Sequence, residues 1–435
     1  MSSIQSLSSA LSGLVAARRK LETHGHNIAN ASTEGYTRQR VIQSPVGAGV
    51  VAHVFSTSPS DPGGVMSMGV ERLSDVLLQS RMATAVEGQG AAQATEKYMM
   101  RIEDAFAEPS ESAISGQLTR YWGSWASLAI SPDSTAARQQ VLAEGEQLAY
   151  SLRRADTEMS DTLTYAGAEL EATASEINNL SEQIADLNGA IVSAGRNTTS
   201  QADLWDQRDR LVSRLAQLTG ATSRVREDSQ VAVFVGGRVL VDNKTVLKVQ
   251  ATATELQWAI DGAKVDASGY VGSLHTLVST TIPALRASLD AVAAALVSQT
   301  NAIHTAAADP SGATGRLFYD PAGLTAATIA ISTDPTNGVA GNPQRVAAAS
   351  VAGAVFDGSA AHALALLGDS PTGPDAAYMG FLSSLGVATS SARSRAASSE
   401  LVLAAAANDY NATAQVNLDD ELAEMTAAQR AYQAS

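Results

Sequence analysis

Residues 170–191 read LEATASEINNLSEQIADLNGAI. Leu170, Thr173, Ile177, Leu180, Ile184, Leu187 and Ile191 recur at alternating steps of three and four, which lines up one face of an α-helix and cannot line one face of a strand. Upstream, Leu148, Leu152, Met159 and Leu163 carry the stripe on, so the spacing predicts one helix of more than about ten turns that ends near Gly195. DLWDQRDRLVSRLAQL at 203–218 returns beside it through Leu204, Leu211, Leu215 and Leu218, giving an α-hairpin. The fold class follows: mainly α, an elongated helical bundle with terminal coiled-coil helices and a small inserted β region.

Outward from that hairpin, residues 43–68 read as loop with a short strand or hairpin, and 70–106 as a helix marked by Leu73, Leu77, Tyr98, Ile102 and Phe106. Residues 111–130 are helical, and SPDS at 131–134 is a capped turn. Beyond residue 221 the period changes to two. Val231, Val233 and Val235 alternate, and Gly236-Gly237 then marks a hairpin turn. ELQWAID and GYVGSLHTLV read as further strands or edges. Pro283 opens another helix through Leu285, Leu289, Val292, Leu296 and Ile303. Residues 306–375, rich in Ala, Gly, Pro and Asp, suggest a loop-rich insertion with little core of its own and one strand in ATIAISTDP; 376–415 return to Ala-rich helix. The expected domains are 1–42 with 411–435, a terminal coiled-coil pair; 43–305 with 376–410, a helical bundle carrying the β region at about 222–280; and 306–375, a reduced outer insertion.

Both ends carry their own seams. Ile4, Leu7, Leu11, Leu14, Leu21 and Ile28 repeat at heptad spacing, interrupted by Arg18 and Gly25. Leu418, Leu422, Met425 and Tyr432 do the same, behind Asn417 as N-cap and with Asp419, Asp420 and Glu421 where a helix dipole favours anions. Residues 1–40 hold five basic side chains against two acidic ones; residues 400–435 hold six acidic against one basic. Two amphipathic helices of opposite charge, each too short to bury its own stripe, are natural partners.

The formal net charge of −15 disfavours nucleic acid or an anionic membrane as partner. With no cysteine, disulfides, thiolate nucleophiles and Cys-based zinc sites are excluded. No unbroken run of 18 apolar residues exists, so no membrane-spanning helix is expected, and the N-terminus lacks the plan of a secretory signal. His24 and His26 lie about 200° apart on a helix and cannot share a metal there. NLDDELAE lacks the alternating ligands of a calcium loop, and no phosphate-binding or nucleophile-elbow motif occurs. The reading assigns no catalytic, cofactor-binding or metal residues and no enzymatic activity.

Between the two seams lies HNIANASTEGYTRQR (26–40). With the preceding helix, the segment 10–40 resembles the N-terminal signature of the bacterial flagellar axial proteins, the rod, hook and hook-associated family. There an N-terminal helix ends in N-N/H-I-A-N-x-x-T-x-G-Y. Asn27, Ile28, Ala29, Asn30, Thr33, Gly35 and Tyr36 match that pattern. The TRQ that follows, DSTAARQQVL (133–142), LWDQRDRLVSRL (204–215) and VNLDDELAEMTAAQRAYQAS (416–435) are similar to its hook-associated members at the hook–filament junction, and GVERLSDVLLQSRMA (69–83) fits more loosely. The resemblance implies a structural subunit, exported unfolded through the flagellar type III apparatus without cleavage and residing outside the cell in the flagellum. Its implied partners are further copies of itself, hook protein, a second hook-associated junction protein and an export chaperone. Its terminal helices would be disordered alone and would pair on assembly. On this reading Asn30, Ser32 and Thr33 satisfy helix-end and turn groups, Gly35 supplies a permissive turn and Tyr36 anchors the exit against the next domain. The family's last helix normally runs on past the point at which this sequence stops. A different axial protein, such as the second junction component or a flagellin, and a soluble ligand-binding or enzymatic helical protein are the competing readings.

Overall fold

The computed structural model describes residues 2–46, 64–106, 108–110, 113–195 and 198–435; most of the loop expected at 43–68 lies outside them. The chain is mainly α, with three small sheets among the described residues. Its helices are α1 (Ser2–Asn30), α2 (Val76–Phe106), α3 (Ile114–Ile130), α4 (Thr135–Ser193), α5 (Thr199–Thr219), α6 (Gly269–Thr276), α7 (Ile282–Ala306), α8 (Ser359–Ala365), α9 (Pro374–Ala414) and α10 (Leu418–Ala434). The strands are β1 (Gln39–Val46), β2 (Gly64–Arg72), β3 (Thr222–Val225), β4 (Val231–Val235), β5 (Arg238–Asp242), β6 (Thr245–Val246), β7 (Val249–Ala251) and β8 (Leu256–Trp258). Two compact units emerge. The first comprises 1–92, 171–272 and 397–435, and the second 93–170 and 273–396.

In the first unit, α4 turns at Gly195 (φ +80°) and α5 begins under Thr198, whose hydroxyl accepts from Gln201 N. Glu176 and Arg214 face each other at 2.7 Å across this α-hairpin. The α4 stripe is buried here at Ile177, Ile184 and Ile191. The second line of the seam runs through Ala174, Ser181 and Asn188 as well as Thr173 and Leu180, while Leu187 is only half-buried. Asn188 is in the seam because of what it does there. Its amide donates to Val231 O (2.9 Å) and its carbonyl accepts from Val231 N (3.0 Å), so it pairs with β4 as another strand would. Asn178, nearly three turns back, treats Val249 of β7 in the same way, at 2.8 and 2.9 Å. The antiparallel meander β3-β4-β5-β6 turns at Gly236-Gly237, both with positive φ, as a two-residue hairpin requires.

In the second unit, the packed faces of α3, α7 and the 306–375 segment bury Tyr121, Trp125, Leu289, Val292, Leu296, Phe318 and Tyr319. The insertion is loop-rich as expected, but it is not poor in core: Phe318, Ile329, Val339 and Val346 are wholly buried. ATIAISTDP forms no strand, only an isolated bridge from Ile331 to Tyr319. Asn301 of α7 holds this loop, accepting from Phe318 N and Tyr319 N and donating to Tyr319 O. His304 is buried against Trp125 and Phe318. Its Nδ1 reaches Arg316 O (2.7 Å) and its Nε2 accepts from Ala347 N (2.9 Å), an arrangement that only a neutral ring protonated on Nδ1 satisfies. Burial brings its pKa down to about 4.

Two sequence expectations fail for identifiable reasons. The helix expected from Val70 starts at Val76, because Asp75 accepts from Leu77 N and Leu78 N as its cap and Val70 pairs with Val41. GYVGSLHTLV is helix rather than strand: Val271, Leu274 and Leu277 are buried at helical spacing. The run Gly269–Ala306 is long and apolar enough by composition to cross a membrane, which a search for an unbroken apolar run overlooks. Its Leu285, Leu289, Val292 and Leu296 are nevertheless buried inside the protein, as in a core helix.

Replacing Asn188 by Leu leaves the N–H and C=O of Val231 buried without partners. The expected loss is about 2–4 kcal/mol in denaturant unfolding, against less than about 1 kcal/mol for the same change at exposed Asn179. A folded-state His304 pKa below the ordinary 6.5 means the unfolded chain binds more protons between about pH 4 and 6.5. Stability should therefore rise with pH through that window by up to roughly 3 kcal/mol, and thermal unfolding of His304→Gln should lose that part of the slope.

Candidate assembly site at the chain termini

Within the first unit, α10 runs antiparallel to α1. Glu421 lies beside His24 and Asn27, and a Cβ placed on Gly13 would stand 3.4 Å from Ser435 Oγ. The terminal helices therefore pair within one subunit, but not through their leucines. The pairing is polar at its centre. Glu421 is wholly buried and accepts from Asn27 Nδ2 (3.0 Å), His24 Nδ1 (2.6 Å) and Arg38 Nε (2.6 Å). Burial pushes its carboxyl up, but the hydrogen bonds from Asn27, His24 and Arg38 outweigh this and hold it below the usual carboxylate range. Among the first-turn acids, Asp419 and Asp420 remain exposed; Glu421 belongs to the interior.

Asn27 is the other half of this centre. Its Oδ1 accepts from Gln39 N (3.0 Å) and Tyr36 Oη (2.8 Å), and its Nδ2 donates to Gln39 O (2.9 Å) as well as to Glu421. All of its polar capacity is used, and β1 is tied to α1 where the strand begins. Because the Tyr36 hydroxyl commits its proton to Asn27, His26 Nδ1, 2.9 Å away, donates to it. Tyr36 thus closes back onto α1 through Asn27. Burial, then the charges of Asp203, Asp206 and Glu421, raise its pKa. Asn30 caps backward, donating to His26 O at 3.0 Å, and Thr33 donates to Asn30 Oδ1 at 3.3 Å. Gly35 has φ +70°, and a Cβ there would lie 2.7 Å from Arg210 Cδ; Arg210 Nη1 donates to Glu34 O at 2.8 Å. The turn thus needs glycine for its backbone and for the side chain that crosses it.

Helix α5 supports the arrangement from below with acids three residues apart. Asp203 accepts from Gln39 Nε2 (2.9 Å). Asp206 accepts from Thr37 N (3.0 Å) and Arg72 Nη1 (2.7 Å), and Asp209 from Arg72 Nη2 (2.8 Å). Arg72 also lies over the Trp205 ring at 5.1 Å. Burial works against the Arg72 charge, but Asp209 and Asp206 outweigh it and keep the guanidinium protonated. The sequence singled out Asn27, Asn30, Gly35 and Tyr36, marked Thr37, Arg38, Gln39 and Asp206 only as parts of family-like stretches and read Glu421 only as a first-turn acid; it gave Asp203 no role. The i, i+3 spacing of the α5 acids was the one available signal; Glu421 was hidden among other first-turn acids.

The expected seams lie elsewhere. Leu7 and Leu11 are 69% and 61% exposed, Leu14, Leu21 and Ile28 are half-buried, and Ala29 is exposed; the side chain of Ile4 lies outside the described ones. On α10, Leu418, Leu422 and Tyr432 are 49%, 48% and 40% exposed, with Met425 half-buried. The faces in use are instead Ala16, Ala17, Thr23 and Asn27 on α1 and Glu421 and Ala428 on α10. At about 100° per residue, Leu418 and Leu422 sit roughly a quarter turn from the Glu421–Ala428 line of α10, whereas Leu7 and Leu11 sit more than about a third of a turn from the α1 residues that face α10, Gly13, His24 and Asn27. A heptad repeat on a straight helix also drifts by about 20° per repeat, which carries the α1 stripe from open at Leu7 toward shelter at Ile28.

A family model described as the flagellar hook-associated protein FlgK helical domain matches residues 99–319, and one described as the flagella basal body rod protein matches 7–37. Flagellar hook-associated protein 1 of Salmonella typhimurium is 29% identical over 330 residues, covering 71% of this chain and 58% of that protein. The chain thus spans little more than half the length of this relative. The protein of the same name from Bacillus subtilis is 24% identical over 490 residues, covering 100% of this chain and 95% of its own. The solved structure of the flagellar hook junction protein FlgK from Burkholderia pseudomallei shares the fold. Its TM-score is 0.61 at 16% identity, covering 77% of this chain and 99% of that one.

Gly35→Ala introduces both a positive-φ penalty and a clash with Arg210. It should cost about 1–3 kcal/mol of stability in denaturant unfolding, and Arg210→Ala in the same chain should recover the part due to the clash.

Proposed function

From the premise that this chain belongs to the flagellar hook-associated protein FlgK family, a family of structural flagellar proteins, we propose that it is a non-catalytic subunit of the junction between hook and filament. It polymerises through its paired terminal helices. The single observation that carries this reading is the exposure of leucines on the terminal pair. Leu7, Leu11, Leu418 and Leu422 stand in solvent on two helices that are already held together by other residues. Large apolar side chains left exposed on an already paired helix suit a protein–protein contact. The opposite charges of α1 and α10 suit contacts in which one copy's α1 meets the next copy's α10.

In this role the subunit adapts the hook lattice to the filament lattice, with hook protein on one side and a second junction protein on the other. It reaches its place through the type III apparatus with a dedicated chaperone and without a cleaved signal. The terminal segments 1–42 and 411–435 act as the inner assembly module and 306–375 as a reduced outer element.

The test is complementation of a strain lacking the gene. Hooks without filaments and flagellin shed into the medium are expected, with rescue by the wild-type gene. Leu11→Glu with Leu422→Glu, at positions exposed in the single subunit, should be stable and exported yet leave filaments absent. Normal filaments in the deletion strain, or full rescue by the double variant, would overturn the reading.

A further inference from the structure

We propose that His304 makes the segment Val346–Asp357 of the second unit a pH-sensitive strap: the neutral imidazole fastens it to the end of α7, and protonation of Nε2 releases it while the helices beneath stay folded.

The strap carries no helix or strand of its own, only an isolated bridge from Ala349 to Ala308. Its first four residues, Val346–Ala349, are buried all the same, so their peptide groups need partners. Val346 O accepts from Arg138 Nε of α4 at 3.0 Å, and Ala347 N donates to His304 Nε2 at 2.9 Å. Ala348 N and Ala349 N share Ala308 O at 3.3 Å, and Ala348 O accepts from Ala360 N and Ala361 N at the head of α8. Two of these bonds come from side chains. Arg138 keeps its donors at every ordinary pH, whereas His304 can change from acceptor to donor. With Nδ1–H committed to Arg316 O, a second proton on Nε2 sets N–H against the N–H of Ala347. Ala347 packs with Ala307 and Ala360, so its peptide group relieves that clash only by leaving the cluster.

The groups that face the ring do not compensate for a charge on it. From α3 come Trp125, at 6.0 Å, and one turn earlier Tyr121, whose hydroxyl burial makes still harder to ionise. From the preceding loop come Asp309 and Arg316, paired with each other at 2.9 Å; the other Asp309 oxygen is taken by Ser311 and Ala313. From α4 comes Arg138, a second buried cation, whose Nη1 has no partner among the described residues. Asp357 spends both oxygens on Ser350 and Ser359, and His362 of α8 is exposed. The dipole of α7 favours a cation in its last turn, but full burial prevails and keeps the ring neutral. The closed strap therefore binds the His304 proton more weakly than the open one, in which the ring meets water. Closure is complete above the ordinary histidine range and weakens as pH falls through it. A cleft lined by Arg138, Ala308, Asp309, Ala349, Val355 and Asp357 already follows the seam along which the strap parts.

The experiment is amide hydrogen exchange on the full chain at pH 7 and pH 5, each rate referred to the intrinsic rate of an unstructured peptide at that pH. With the ring at about 4 when closed and 6.5 when open, protection of 346–361 should fall about twentyfold from pH 7 to pH 5. Amides of α4 and of β3–β6 should keep theirs within about twofold. His304→Gln takes up no proton in this range, so its protection of 346–361 should be the same at both pH values, whatever its level. Should that variant fail to fold, NMR of the wild-type imidazole nitrogens gives the second reading: His304 should carry its proton on Nδ1 and stay neutral at pH 5 in the closed state. The strap is overturned by equal protection of 346–361 at the two pH values in the wild type, by a fall that persists in His304→Gln, or by a His304 that is charged at pH 5 with 346–361 still protected. A fall shared equally by the whole second unit overturns it too, because the unit then opens as one body.

Discussion

A peptide group taken out of water must find a hydrogen-bond partner, and in this chain that partner is repeatedly the carboxamide of a helical asparagine. Asn27 holds Gln39, Asn178 holds Val249, Asn188 holds Val231 and Asn301 holds Phe318 and Tyr319. Each places a donor and an acceptor side by side, as a neighbouring strand would, on a helix that offers no strand edge. This is how a mainly α chain keeps short strands and a long irregular loop against its helices without leaving buried amides orphaned. Leucine would fill the same volume, but it could not select which peptide of the strand sits opposite which turn of the helix. The asparagines thus fix register, and the leucine stripes supply the burial.

The terminal pair applies the same logic to a charge. A carboxylate buried at Glu421 is tolerated because His24, Asn27 and Arg38 converge on it, and Asn27 in turn is saturated by Gln39 and Tyr36. Below lie the α5 acids with Arg72 and Thr37. Segments near residues 30, 205 and 420 are remote in sequence, and none of them completes its hydrogen bonds without the others. Holding the helices together with polar groups has a consequence that apolar pairing would not have: the leucines remain outside. Residues used for internal closure are unavailable for contact with another molecule.

The sequence by itself determined where the long helices run, because a stripe of period 3.6 over many turns has no strand solution, and it determined the Gly236-Gly237 hairpin, because two successive positive φ angles call for glycine. It also marked Asn27, Gly35 and Tyr36 as a unit. Tertiary structure alone decided which face of each terminal helix is used. Both the leucine face and the Ala16–Thr23–Asn27 face are plausible on a helical wheel, and the choice turns on whether a remote carboxylate, Glu421, arrives opposite Asn27. Only tertiary structure likewise turned GYVGSLHTLV into helix and gave the loop around Phe318 and Tyr319 a core, since Asn301 and the aromatic surface of α3 that receive that loop lie elsewhere in the sequence. Local periodicity reports what a segment can bury; what it does bury depends on partners that no local pattern encodes.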